Sequence, residues 1–213
     1  FRAEDIRFAT GSSERMRISD TGDVGIGTSS PTSYSGYSTL ALNGTNGGII
    51  EFQKNGVQQS RIANAGGAEL QFATNNVEAM RISATGDVLV GTTNDLPAIN
   101  NVEGIALSAG SYGGRLEVSR DSNEPMAINR MTTDGSLVAF KKDGTTVGSI
   151  GTQDSRLTIG NGDTGLRIAG DLNNIVPWNT TTNLLSDSAI DLGSSGQRFK
   201  DLYLSGGVYL GGT

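Results

Sequence analysis

The chain of 213 residues contains neither cysteine nor histidine. Without cysteine it can form no disulfide framework and no thiolate metal site. Without histidine it lacks Ser-His-Asp triads, Cys-His pairs and HExxH zinc motifs. Only carboxylate, lysine, hydroxyl and tyrosine chemistry remains, so we predict a protein that is not an enzyme and that has no cofactor and no bound metal.

Aromatic residues are also scarce, at 6%, and the hydrophobic fraction is only 35%. A typical globular domain is about 45–50% apolar. Charged residues make up just 18%, which is not the composition of a disordered chain. The 31 glycines favour turns but fill no core. We therefore expect the chain to bury its apolar surface against other copies of itself.

The charge pattern excludes two kinds of partner. The net charge is −6 and no Lys/Arg-rich run occurs, which argues against nucleic acid. No apolar stretch approaches the roughly 20 residues of a membrane span, and no signal peptide is visible. Because the chain opens on Phe1 within a repeating pattern, we interpret it as a piece of a longer protein.

Two internal repeats organise the sequence. The first pairs residues 6–31 with residues 70–95, without a gap, reading IRFATGSSERMRISDTGDVGIGTSSP and LQFATNNVEAMRISATGDVLVGTTND. The second pairs residues 50–56 with residues 138–144. Further along the same repeat, after a shift of one residue, Leu-Gln-Phe at 70–72 matches Leu-Thr-Ile at 157–159. One strand-turn-strand unit therefore recurs with variations.

The local period is two, which is typical of strands with one apolar face. Apolar residues straddle one other residue in many pairs: Ile6/Phe8, Met16/Ile18, Val24/Ile26, Leu70/Phe72, Met80/Ile82, Val88/Val90, Leu116/Val118, Met126/Ile128, Val138/Phe140, Leu157/Ile159 and Leu202/Leu204. Asn55-Gly56 and Asp143-Gly144 predict type I′ hairpins. Residues 195–202 could form one short helical turn.

Such short strands, each burying one face, would leave apolar rows and open sheet edges in a lone chain. Association of three chains removes both problems. We predict an all-β fold of short strands in stacked repeat modules, forming an intertwined parallel homotrimeric fibre of the β-prism or triple β-helix kind. The modules are 1–31, the first repeat; 32–95, an insert plus the second repeat; 96–170, a third β module; and 171–213, a C-terminal fibre module. A monomeric two-sheet sandwich is the alternative.

Two stretches resemble known fibre sequences. Glu14–Thr28, followed by Pro31, looks like a repeat of phage tail fibres and appendage proteins, which often lies upstream of an endosialidase-type intramolecular chaperone domain. Ala189–Gly207 is similar to a second pattern, common near the distal ends of cyanophage and marine phage fibres. The chaperone's Ser-Lys cleavage dyad has no matching segment here, so such a domain would lie beyond Thr213.

The resemblance implies a virion location in the tail, with assembly in the host cytoplasm and exposure outside the cell in the mature particle. It implies a homotrimer that contacts other tail proteins and a host cell-surface glycan or protein, and it implies a structural role that supports receptor recognition and attachment. A polysaccharide-degrading tailspike and a trimeric bacterial adhesin stalk remain as alternatives.

Candidate residues follow from these patterns. The trimer core is predicted to contain Phe8, Met16, Ile18, Phe52, Phe72, Met80, Ile82 and Phe140. Aromatics in turn-rich sequence are the candidate receptor contacts, with the filling of gaps between modules as the favoured interpretation: Tyr34, Tyr37, Tyr112 and Trp178. Arg17 and Arg81 are expected on the opposite strand face, paired with Glu14 and Glu78 or with a neighbouring chain, and a solvated outer face that contributes little is the alternative. Asp23, Asp87, Asp143 and Asp163 are expected to serve ordinary turn chemistry.

Overall fold

The computed structural model describes residues 4–64, 67–109, 113–209 and 211. Across these residues the chain is all-β: it forms strands and no helix, as the period-two pattern predicts. It divides into two compact units, Phe1–Met126 and Ala127–Thr213. The first unit holds two sheets and the second holds one.

The first sheet has four strands in the order β1-β2-β3-β4. They are β1 (Ile6–Thr10), β2 (Ser13–Ile18), β3 (Val24–Ile26) and β4 (Leu40–Leu42). The first three strands are antiparallel, whereas β3 and β4 run parallel and are joined by the long connection that contains Tyr34 and Tyr37.

The second sheet is a seven-stranded antiparallel meander in which every strand pairs with its sequence neighbour. Its strands are β5 (Ile49–Lys54), β6 (Val57–Ala63), β7 (Leu70–Thr74), β8 (Val77–Ile82), β9 (Val88–Val90), β10 (Gly104–Ser108) and β11 (Arg115–Ser119). Two-residue turns join β5 to β6 and β7 to β8, as antiparallel neighbours allow, whereas a longer segment connects β9 to β10.

The second unit contains a six-stranded antiparallel meander. Its strands are β12 (Gly135–Lys142), β13 (Thr145–Gln153), β14 (Arg156–Asn161), β15 (Thr164–Ala169), β16 (Asn174–Asn179) and β17 (Leu184–Leu185). None of the three sheets closes on itself, so each has two edge strands within the described chain.

The first sequence repeat is also a repeat of structure. Strands β1, β2 and β3 correspond residue for residue to β7, β8 and β9, and both copies carry an irregularity in register immediately after the phenylalanine, Phe8 or Phe72. Gly22 and Gly86 have φ of 87° and 90°, a backbone conformation that glycine adopts without steric cost. The prediction that both copies share strands and glycine turns is confirmed.

The second repeat is also confirmed. In β5–β6, Phe52 pairs with Ser60; in β12–β13, Phe140 pairs with Gly148, and the register shifts just after each phenylalanine. Both hairpins turn through two residues with positive φ, Asn55-Gly56 (52° and 76°) and Asp143-Gly144 (48° and 80°). These are the signs of the type I′ turns that the sequence predicts.

Three local predictions are wrong. The pair Met126/Ile128 lies in no strand, because Pro125 cannot donate to a ladder and the segment joins the two units. The pair Leu202/Leu204 finds no neighbouring strand in the described part of the chain. Residues 195–202 form no helical turn but lie in irregular backbone, where Ser194 and Gln197 exchange backbone hydrogen bonds.

Candidate interaction surface

One face of the seven-stranded sheet is a continuous apolar surface. Cross-strand neighbours form a row that crosses all seven strands without a polar residue: Ile50, Ile62, Phe72, Met80, Val90, Ile105 and Val118. A second row lies beside it: Leu70, Ile82, Val88, Leu107 and Leu116. We call these two rows the unit 1 apolar face. Its side chains are half-buried or exposed, not packed in a core.

The six-stranded sheet repeats this arrangement. One apolar row contains Val138, Ile150, Ile159, Leu166 and Pro177, and the adjacent row contains Leu157, Ile168 and Ile175. We call these rows the unit 2 apolar face. Leu157, Ile159, Leu166 and Ile168 are each more than two-fifths exposed. Each unit therefore presents one uncovered apolar sheet face.

The opposite face of the seven-stranded sheet is the one that the chain covers by itself. Its central row contains Ala63, Gln71, Arg81, Leu89, Ala106 and Glu117. Glu117 accepts a hydrogen bond of 3.0 Å from the backbone amide of Ala98, which lies in the segment that crosses from β9 to β10. Pro97 in that segment is fully buried. The small and polar face is thus enclosed, while the apolar face stays open.

Arginine–carboxylate clusters lie on the side opposite the Met/Ile row in both copies of the first repeat. Arg17 donates two hydrogen bonds to Glu14, of 2.7 and 2.9 Å, and a third of 3.0 Å to Asp5. Arg81 contacts Glu78 and Glu69 in the same way. The expected pairing with Glu14 and Glu78 is confirmed, and the arginines face away from the Met/Ile row as predicted.

The second carboxylate of each cluster, Asp5 or Glu69, was not anticipated from sequence. Asp5 and Glu69 each lie one residue before their strand, at the same position in the repeat, which was the available signal. The hydrogen bond from Arg17 holds the pKa of the Glu14 carboxyl below its ordinary value, and that from Arg7 does so for Asp5. Asp5 and Glu14 therefore stay ionised at neutral pH.

The corresponding arginine of unit 2 has different surroundings. Arg167 occupies the position of Arg81, but its guanidinium carbon lies 4.5 Å from the centroid of the Trp178 ring. Its nearest carboxylate is Asp154, at 3.9 Å. A cation over an indole face is a favourable contact when both are shielded from water. The aromatic residue takes the place that carboxylates hold in unit 1.

Asp23 and Asp87 are the most deeply buried carboxylates that the structure describes, each with about 1% of its surface exposed. Each accepts a hydrogen bond from the threonine two residues earlier, Thr21 or Thr85. Each also accepts one from a distant backbone amide, that of Thr39 for Asp23 and that of Ala109 for Asp87. The predicted turn chemistry of these two aspartates is confirmed. Each carboxylate also connects its turn by a hydrogen bond to a residue next to a later strand, β4 for Asp23 and β10 for Asp87.

Three of the predicted trimer-core residues are about half exposed within one chain: Phe8 and Phe52 at 53% and Phe140 at 50%. Met16, Ile18, Phe72, Met80 and Ile82 are half-buried. The sheets thus place Phe72, Met80 and Ile82 on the unit 1 apolar face. Phe52 and Phe140 lie on the same sides of their strands as Ile50 and Val138, and Phe8, Met16 and Ile18 lie on the corresponding side of the four-stranded sheet. Their burial against other copies stays a prediction.

The aromatic receptor-contact candidates have different surroundings. Tyr34 and Tyr37 lie exposed in one turn, where the amide of Tyr37 donates to the carbonyl of Tyr34. Trp178 is only 2% exposed, because it packs beneath Arg167, and this suits the gap-filling alternative. Tyr112 lies outside the described residues. Sequence reasoning passed over Tyr203 and Tyr209, which are almost fully exposed in a Gly/Ser-rich segment.

Over residues 4–64, 67–109, 113–209 and 211, no group of three acidic side chains is placed to hold a metal ion. No helix in that part of the chain is long and apolar enough to span a membrane. No known protein family matches the sequence, and neither a curated protein nor a solved structure is significantly similar to it.

Proposed function

We propose that this chain is a structural segment of a phage tail fibre that works as a homotrimer and supports attachment to a host receptor. The uncovered apolar face of each unit is the observation that carries the proposal. A protein that encloses its small polar face and leaves its apolar face bare is built to be completed by another chain. The two fibre-like motifs, within 14–31 and 189–207, supply the phage context.

The accessible surface area supports assembly quantitatively. The chain exposes 15888 Å². A compact folded chain of its mass exposes about 9,300 Å², and two separate compact units of half that mass expose about 11,300 Å² together. The excess over even the larger figure is several thousand Å², whereas each partner in a standard protein interface contributes about 800 Å². Burial between copies would remove an excess of this size.

The proposed role is mechanical. The trimer extends and orients the fibre, and exposed loop aromatics such as Tyr34 and Tyr37 contact a host glycan or protein, or a neighbouring tail protein. A tyrosine ring provides an apolar surface with a polar end, which suits both kinds of contact. No reaction, cofactor or metal forms part of this function.

Native mass in solution tests the assembly. By sedimentation equilibrium we expect three times the 22.1 kDa of one chain. A monomer or a dimer would overturn the proposal. Binding of the trimer to host cells, compared with the variant Tyr34→Ser/Tyr37→Ser, tests the attachment role, and equal binding by both forms would remove these tyrosines from it.

Two measurements separate this function from its alternatives. A polysaccharide-degrading tailspike would release sugar from purified capsular or lipopolysaccharide glycan, whereas we expect no release. Release that is abolished by a single Asp or Glu substitution would establish the enzyme instead. An adhesin stalk would be found on the surface of a bacterium, whereas antibodies against this protein should label virion tails.

A further inference from the structure

We infer that the unit 1 apolar face is the contact between copies, and that it meets the same face of the other copies in parallel register. The inference rests on the proposed homotrimer and adds to it which side of the sheet lies inward and which residues meet. The occupant of this face is therefore a second and third copy of this chain, rather than a host receptor or another tail protein.

The first step is the choice of face. The enclosed side carries the buried Gln71, and it carries Arg81 and Glu117, which make hydrogen bonds to Glu69 and to the backbone of the crossing segment. The apolar side offers twelve cross-strand residues in two rows, none of them charged or polar. Removing apolar surface from water is the dominant favourable term in association. The apolar side therefore faces the partner.

The second step is the register. The pattern of the unit 1 apolar face recurs in unit 2, where Val138, Ile150, Ile159 and Leu166 take the positions of Ile50, Ile62, Phe72 and Met80. A copy that runs parallel places each residue of a row beside its own equivalent. Because the rows carry no charge, equivalent residues can meet without like-charge repulsion.

The third step is the position of the axis. Strand β8 is the central strand of the seven, and β9 lies next to it. When three such faces meet in parallel, the row that crosses the seven strands runs along the common axis, and each of its residues lies beside its equivalents in the other copies. Val90 on β9, which is 39% exposed in one chain, should then lie close to Val90 of the other copies.

Charge substitution tests the face. We expect Val90→Glu to lower the native mass from three chains to one, because three carboxylates would meet in a site without water. The far-ultraviolet circular dichroism should remain that of a β protein, because the position is partly exposed in the single chain. The control is Gln53→Glu, which adds the same charge at an exposed position on the opposite side of β5 and should leave the mass unchanged.

Co-expression tests the register. We expect Val90→Glu and Val90→Lys chains, expressed together, to recover trimers that neither variant forms alone. We expect Val90→Glu expressed with Leu166→Lys to recover none, because the substituted positions lie in different units. Recovery with both partners, or with neither, would overturn the parallel pairing of equal positions.

Cysteine cross-linking keeps the inference testable if the charged variants do not fold. The chain contains no cysteine, so one introduced thiol reports cleanly. A short bismaleimide should join copies of Val90→Cys and leave Gln53→Cys uncoupled. If the unsubstituted protein is monomeric, the proposed assembly itself fails. If it is trimeric while Val90→Cys stays uncoupled and Val90→Glu stays trimeric, only the assignment of this face fails.

Discussion

Asp23 shows how one side chain fixes a repeat. Its carboxylate is shielded from water and accepts hydrogen bonds from Thr21 and from the backbone amide of Thr39. The bond from the Thr39 amide is the main cause that holds the pKa of Asp23 below its ordinary value of 3.8. The ionised form is therefore the one that the fold stabilises. A buried charge of this kind is sensitive to both substitution and acid.

We expect Asp23→Asn to lower the thermal midpoint at pH 7 by about 5 °C, because a neutral amide is a weaker acceptor than a carboxylate. The contribution of Asp23 to the free energy of unfolding is fully present above its ordinary pKa of 3.8. It is lost as the pH falls through the lower pKa that Asp23 has in the folded protein. The difference between the two proteins should therefore narrow at pH 3. Calorimetry at both pH values measures this.

Asp143→Asn is the matched control for this substitution. Asp143 is exposed at a hairpin turn, and the equivalent turn of unit 1 already carries Asn55 there. We expect its thermal midpoint to stay within about 1 °C of the unsubstituted protein. An equal loss in both variants would show that charge, rather than the buried hydrogen bonds, sets the effect.

At the scale of the element, the hairpin is the recurring unit. Asn55-Gly56 and Asp143-Gly144 close hairpins with the same register and the same shift after phenylalanine, although they share few side chains otherwise. A type I′ turn matches the twist of the two strands, which explains why the same turn chemistry recurs in both units. The backbone conformation, rather than side-chain packing, constrains these glycines.

We expect Gly56→Ala and Gly144→Ala each to destabilise the folded protein by about 1–2 kcal/mol, because a Cβ atom is strained at φ of 76° and 80°. No heavy atom lies within 4 Å of the Cβ that either change adds, so steric overlap contributes nothing. Gly196→Ala is the control, since its Cβ also meets no atom and its φ is not positive. Chemical denaturation measures all three, and a neutral Gly56→Ala would contradict the turn assignment.

For the whole molecule, the open apolar faces determine how stability should behave. Each sheet has a covered or polar side and an apolar side that a single chain leaves in contact with water. If copies supply the missing cover, folding and association are coupled. Stability then depends on the concentration of chains.

We expect the thermal midpoint to rise with protein concentration, by several degrees over a hundredfold range, as mass action requires for a trimer that dissociates on unfolding. Differential scanning calorimetry under reversible conditions provides the measurement. A midpoint that does not change with concentration would indicate a chain that is stable alone, which is the behaviour of the two-sheet sandwich.

Much of the local structure could be predicted from the sequence. The period-two pairs, such as Met16/Ile18 and Leu157/Ile159, mark strands because alternate side chains of a strand face opposite sides. The Asn-Gly and Asp-Gly dipeptides mark type I′ turns because both central residues need positive φ. The repeats transfer strand bounds from one copy to the next, since equal local sequences have equal local preferences.

Only the tertiary structure decided what lies on each side of a sheet. The covering of Glu117 by the segment around Ala98 depends on a contact across 19 residues, and the placing of Trp178 beneath Arg167 depends on strand order. Alternation shows that a strand has two faces but not which of them the chain encloses. Here the chain encloses the polar face, because its own crossing segment supplies hydrogen-bond partners there, and the apolar face needs a surface that one chain does not provide.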